Sequence, residues 1–185
     1  MIAGPNGSGK STIFEELGRL GNQLGIFLNP DVIAKSLDGP DNTRDYRAGR
    51  EALERCRSYL ENGQTFTRES TLSSTEILNI MRRAKDAGFT VNLIFVGVST
   101  VAHSIDRVAK RVRLGGHHIP VEDQIRRFDK TFANLPIAAS IADHCLIFDN
   151  SGASHELVAT IQSAKLIGRT DKSIAWHDKA LSQLP

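Results

Sequence analysis

Gly4-Pro5-Asn6-Gly7-Ser8-Gly9-Lys10-Ser11-Thr12 fits G-x-x-x-x-G-K-[ST] with one additional glycine inside the pattern. Glycines let the backbone take conformations that a side chain forbids, so successive N–H groups can turn inward around a polyphosphate. Lys10 adds a positive charge at that spot. The Ser11 hydroxyl is placed to ligate a magnesium ion bridging the phosphates, and a helix following the loop aims its partly positive end at the same anions. A merely flexible turn has no reason to follow its last glycine with Lys-Ser-Thr. The flanks agree: Met1-Ile2-Ala3 reads as the end of a strand, and Ser11 to Leu17 opens a helix with apolar residues at helical spacing. A start upstream of Met1 would account for so short a first strand.

Further along, apolar runs alternate with helical patterns. Strands are predicted at 25–28, 64–67, 91–98 and 145–148, and helices at about 10–24, 44–60, 75–87, 101–113 and 121–135. Such alternation predicts an α/β fold of the P-loop type, a three-layer αβα sandwich around a central, mostly parallel sheet. Val91 to Val98 is apolar on both sides of its pleat apart from Asn92, as a central parallel strand should be. At 185 residues, with no linker or repeat, the chain reads as a single domain, residues 1–185. Within it, residues from about 107 to 136 are expected to form a lid, and residues from about 163 to 185 a small extension. Lys165 to Gly168 and Ser173 to His177 read there as a hairpin or edge element without chemistry.

Twenty-three Lys and Arg against 21 Asp and Glu give a net charge of +2, too even to point to nucleic acid or an anionic membrane. Cys56 and Cys145 have no paired spacing and read as buried thiols, not as a disulfide or zinc framework. No apolar run is long enough to span a bilayer, and the chain opens on its phosphate loop without a leader, so a cytoplasmic setting is expected.

Ligands of such sheets gather at the carboxyl ends of the strands. Asp31 follows the second strand, where a carboxylate can accept the proton of an attacking hydroxyl or help hold magnesium; an N-cap of the following helix is its structural alternative. Glu69 could orient the acceptor or a water on the metal, while Ser70, Thr71 and Ser73 are expected to cap the next helix. Residues 107–127 carry Arg107, Lys110, Arg111, Arg113, Arg126 and Arg127 against Glu122 and Asp123. With Leu114-Gly115-Gly116-His117-His118-Ile119-Pro120 breaking two helices in their midst, they read as an arginine-bearing lid that neutralises phosphoryl charge and excludes water. His117 and His118 lack metal-ligand spacing. No apolar run ends in Asp-Glu, which disfavours a mechanical ATPase.

The P-loop together with Asn29-Pro30-Asp31, Glu69-Ser70-Thr71-Leu72, the span from Arg107 through Gly115-Gly116-His117 to Pro120, Arg126-Arg127-Phe128 and Asn134-Leu135-Pro136 resembles the zeta toxin family of P-loop kinases in its short bacterial form. The likeness runs from Gly4 to about Gly152. It implies an ATP- and Mg2+-dependent kinase acting on a hydroxyl of UDP-N-acetylglucosamine, restrained by a small antitoxin. Carried over by position, residues Gly4 to Thr12 bind the nucleotide, with Lys10 on phosphate and Ser11 on metal. Asp31 is the acceptor base, Glu69 and Thr71 contact the acceptor, and Arg111 with Arg126 or Arg127 stabilises the transferring phosphoryl group. Asn150 would lie near the adenine. Ser70-Thr71 departs from the two threonines common after the glutamate, and short relatives lack much of the acceptor-binding structure of the long toxins. A nucleotide-gated binding module that hydrolyses weakly and recruits a protein or nucleic acid is the competing function.

Overall fold

The computed structural model describes residues 1–172 with Ile174, Trp176, Asp178, Ala180 and Ser182, the side chains of Asp41 and Asn42 excepted. In chain order the elements are β1 (Ile2–Ala3), α1 (Lys10–Arg19), β2 (Ile26–Leu28), α2 (Pro30–Lys35), α3 (Asp41–Glu61), β3 (Phe66–Ser70), α4 (Thr75–Asp86), β4 (Asn92–Gly97), α5 (Val101–Arg113), α6 (Val121–Ile141), β5 (His144–Asp149), β6 (Glu156–Gln162) and β7 (Lys165–Arg169). They build one sheet of order β2-β3-β1-β4-β5-β6-β7. The first five strands run parallel and the last two antiparallel. The α/β sandwich read from the alternating pattern is therefore the observed architecture.

β1 lies between β3 and β4, with Ile2 opposite Glu69 on one side and Ile94 on the other. That register carries the loop after Ala3 out over the centre of the sheet. The main core packs α4 and α6 against Leu93, Phe95 and Ile147, while α1 covers the opposite face through Ile13 against Ile2 and Val96. A third cluster lets α2 and α3 bury Ile33, Ala48, Ala52 and Cys56 with Leu28. No helix among the described residues is long and apolar enough to cross a membrane.

Several element boundaries depart from the sequence reading. α1 stops at Arg19, five residues early, because Gly21 turns to φ +82° and the Leu20 and Gly21 N–H groups close on Glu16 and Gly18. β3 runs to Ser70, so Arg68 and Glu69 lie within the strand and not beyond it. Tertiary pairing with β1 and β2 makes a strand of a segment whose polar side chains did not advertise one. α6 passes through Pro136 to Ile141. The proline forgoes one backbone bond, yet Leu135, Ala138 and Ala139 bury on the core and hold the helix together. The hydroxyls expected to cap α4 do not: its N-cap is Ser74, without a side-chain bond, while Thr71 and Ser73 bond each other and Ser70 Oγ accepts from the Leu72 N–H.

β6 escaped the sequence reading. With β7 it forms an antiparallel hairpin whose turn puts Ser163 and Ala164 at positive φ, and β7 is the sheet edge. Of the tail, Ser173, Ala175 and His177 lie outside the described residues. Trp176 seats its indole on Gly97, where an added Cβ would come within 2.2 Å of the ring, and donates to Asp149 Oδ1 at 3.0 Å.

Candidate active site

The loop from Gly4 to Gly9 is held from three directions. Ser104 of α5 donates to the Asn6 carbonyl at 2.6 Å, and Asn150, just past β5, donates to the Ser8 carbonyl at 2.8 Å. From below, the Gly4 N–H donates to Ser70. These contacts leave no room for side chains at the turning points: a Cβ on Gly4 would lie 2.1 Å from the Val96 carbonyl oxygen, and one on Gly9 2.5 Å from the Asn150 amide. Both residues also have positive φ, +145° and +94°. The cradle is thus rigid, with Pro5, Asn6, Gly7 and Ser8 forming its rim. The Asn6 Oδ1 and Ser8 Oγ atoms are buried without partners, a polar lining suited to a polyphosphate.

Lys10 opens α1 and folds its ammonium back onto the carbonyls of Gly4 at 3.1 Å and Pro5 at 2.8 Å. Burial lowers its pKa, against the opposing pull of Glu69 and Asp31. A phosphate oxygen would replace those carbonyl contacts with a charge-assisted one.

Beside it, Glu69 Oε2 accepts from Ser11 Oγ and from Asn29 Nδ2, both at 3.0 Å. Glu69, expected to orient the acceptor or a water on the metal, is thus carried by β3 to the side of the P-loop hydroxyl. Ser11 and Glu69 are hard oxygen donors of the kind that magnesium takes. The donor set fits that ion.

Asn29 does two jobs. Its Oδ1 accepts from the Asp31 N–H at 2.8 Å, capping α2, while its amide holds Glu69. Asp31 is therefore not the N-cap. It stands in the first turn with its carboxylate left without a hydrogen-bond donor among the described residues. Asp31, Glu69, Lys10, Thr71, Arg111 and Arg127 all line a cleft of about 230 Å3 next to the P-loop.

α6 sets the arginine wall. Thr131, fully buried, bonds the Thr71 carbonyl at 2.6 Å, and Asn134 bonds the Leu72 carbonyl at 2.8 Å. Leu72 is itself held at φ +59°, a left-handed conformation that leucine adopts only under such constraint. These two bonds lock α6 to the loop after β3, and Arg127, one turn before Thr131, faces the cleft. Arg126 does not line it: it pairs with Asp123 at 2.5 Å and is mostly exposed. Arg111 reaches across from α5, bonding the His117 carbonyl at 2.8 Å, and Gly116 permits that turn because a Cβ there would strike the Arg111 chain at 2.5 Å. His117 in turn lies 3.4 Å from Asp45 of α3, so the loop between α5 and α6 spans the cleft mouth.

On the opposite side of the P-loop, Thr12, Glu16, Arg107, Asn150 and His155 border a second depression of about 400 Å3. His155, half-buried with its Nε2 atom buried and unpartnered, went unnoticed in the sequence because it lies in an unremarkable polar loop.

The sequence profile of the AAA domain family (AAA_33) matches residues 1–135. The chain belongs to that family. This AAA domain is 38% identical over 130 residues to an uncharacterised protein of Haemophilus influenzae, covering 68% of this chain and 88% of that one. Among solved structures, its fold is similar to the AvrRxo1-ORF1:-ORF2 complex with ATP, at TM-score 0.61 and 18% identity, over 100% of this chain and 64% of that one. It is likewise similar to the PezAT chromosomal toxin-antitoxin system of Streptococcus pneumoniae, at TM-score 0.60 and 12% identity, over 98% and 81%. This AAA domain thus spans a little under two thirds of the AvrRxo1 chain.

Proposed function

We propose that this AAA domain is an ATP- and magnesium-dependent kinase that phosphorylates a hydroxyl of a small acceptor. The observation that carries the reading is the convergence of Lys10, the Ser11–Glu69 pair and an unengaged Asp31 carboxylate on one polar cleft. Bound at Ser11 and Glu69, magnesium would neutralise phosphate charge. Lys10 and the loop N–H groups hold the triphosphate, and the acceptor hydroxyl lies against Asp31. As the hydroxyl oxygen bonds to the γ-phosphorus, its proton passes to Asp31 and the bond to the ADP oxygen breaks. Arg111 and Arg127 meet the charge spreading over the transferring oxygens. The nucleoside extends toward Asn150 and His155.

The ATP bound in the AvrRxo1-ORF1:-ORF2 complex and the toxin-antitoxin nature of PezAT support this reading, as does the zeta toxin resemblance. That resemblance supports a sugar hydroxyl as acceptor, with UDP-N-acetylglucosamine as the example it supplies, and a small antitoxin as partner. Dependence on ATP fits a cytoplasmic setting.

The test is transfer from γ-labelled ATP to a panel of sugars and nucleotide sugars, with Lys10→Ala as blank. Asp31→Asn is expected to lower turnover by about 10²- to 10⁴-fold while ATP still binds. Unchanged turnover would remove Asp31 from the mechanism.

A further inference from the structure

The floor of the acceptor cleft holds a cation that the transfer chemistry leaves unused. Arg68 lies in β3 between Thr67 and Glu69 and is only 7% exposed. Alternation along the strand turns it to the sheet face opposite Glu69, where it meets the Cys56 thiol of α3. Burial pushes that thiol's pKa up, so it remains neutral and supplies no counter-charge. Arg68 Nε and Nη1 have no hydrogen-bond partner, and among the described residues no carboxylate pairs with the guanidinium. A cation withdrawn from water on these terms is strongly unfavourable unless an anion joins it.

Two cavities border Arg68. One, of about 420 Å3 at the amino ends of β1, β3 and β4, is largely apolar and has no acidic residue in its wall. The other is the acceptor cleft. The acceptor cleft adds Lys10, Arg111 and Arg127 to Arg68, whereas the other cavity adds no further Lys or Arg, so the missing anion is drawn with the ligand into that cleft.

Other features of the cleft define the remainder of the ligand. Asp45 turns one carboxylate oxygen toward His117 and leaves the other, Oδ1, buried and unpartnered, an acceptor for a hydroxyl. The ring in the walls is the His117 imidazole, already drawn to Asp45, and the apolar side chains there are Pro30 and Ile119, so the lining is mostly polar. At about 230 Å3 the space is below the roughly 300–1,000 Å3 that encloses larger ligands.

We propose that the acceptor is a compact polyol bearing an anionic group, phosphate or carboxylate, which pairs with Arg68 while Asp45 and Asp31 take its hydroxyls. The transfer to that acceptor rests on the kinase reading above, whereas anion binding at Arg68 does not. Phosphorylation then follows the same balance: one hydroxyl oxygen gains the γ-phosphoryl group, its proton goes to Asp31, and ADP leaves.

Calorimetry on the full chain without nucleotide, titrating glucose, glucose 6-phosphate and gluconate, tests the anion directly. At least one charged ligand is expected to bind tenfold or more tightly than glucose, and the better of the two identifies the anion. Arg68→Met is expected to weaken that ligand by about ten- to a hundredfold without changing the Kd of ATP and without lowering Tm, because it removes an unpaired buried charge. Should Arg68→Met not fold, Arg68→Lys, which keeps charge but not the fork, is expected to lose most of the same preference. Glucose binding as tightly as both anions, or a variant that keeps the anion preference, overturns the proposal. So does UDP-N-acetylglucosamine being the sole acceptor in the labelled-ATP assay. Absence of ATP binding alongside intact anion selectivity overturns the kinase reading instead.

Discussion

At Gly4 the backbone turns at φ +145° with the Val96 carbonyl 2.1 Å from where a Cβ would sit, so the residue's identity is dictated by both conformation and space. Gly4→Ala is expected to cost about 1 to 3 kcal/mol in backbone strain alone, with the clash adding to it. Chemical denaturation measures the loss, and ATP binding should fail in the same variant. The arginines of α6 offer a sharper contrast. Both pair with Asp123, Arg126 through one carboxylate oxygen at 2.5 Å and Arg127 through the other at 2.9 Å, but of the two Arg127 also lines the cleft while Arg126 is the more exposed. Arg127→Ala is expected to lower kcat by about 10²- to 10³-fold, the scale of losing one charge-stabilising donor, whereas Arg126→Ala should stay within threefold of the parent. Equal losses in the two variants would mean that α6 rotates before reaction. Neighbours in sequence, these arginines could not be told apart until the helix was placed, because a step of about 100° along a helix separates a wall residue from a surface one.

Among the elements, β4 and β5 owe their alignment partly to Asp143, which precedes β5. Lys85 of α4 and the Val91 N–H, just ahead of β4, both bond its carboxylate. The Lys85 contact first, and the Val91 N–H second, hold its pKa below the ordinary 3.8. A depressed acid contributes stability that is complete above its unfolded value and fades as pH falls through the folded one. Stability from this contact should therefore be flat from pH 5 to 8 and decline below about 4. Asp143→Asn is expected to lower stability at pH 7 by about 0.2 to 1 kcal/mol, as for other exposed pairs, and to flatten the acid limb of a denaturation series. An unaltered limb would assign the acid sensitivity elsewhere. Helix existence was legible at this scale: amphipathic spacing in α4 and α5 placed both within a residue or so. The strand placed at 64–67 found β3 but not its polar end from Arg68 to Ser70, and β6 was missed because it gains its identity only by pairing with β5.

For the whole molecule, the nucleotide should act as a staple, because the P-loop joins β1, α1, α5 and the loop past β5. ATP with magnesium at about a hundred times its Kd is expected to stabilise the fold by about 2.7 kcal/mol, read as a rise in Tm. Lys10→Ala should abolish that rise; its survival would place the nucleotide elsewhere. The phosphate loop, the α/β alternation and the candidate acids at strand ends were all readable in the linear chain, since local backbone demands and hydrophobic period leave their mark on adjacent residues. Which acid stands beside the P-loop hydroxyl and which stays unengaged was decided in three dimensions, when β3 laid Glu69 beside Ser11 and α2 left the Asp31 carboxylate without a donor among the described residues. The same holds for Arg68, which has no carboxylate partner among the described residues. A charge is visible in a sequence, but its lack of a counter-charge is a property of what folding packs around it.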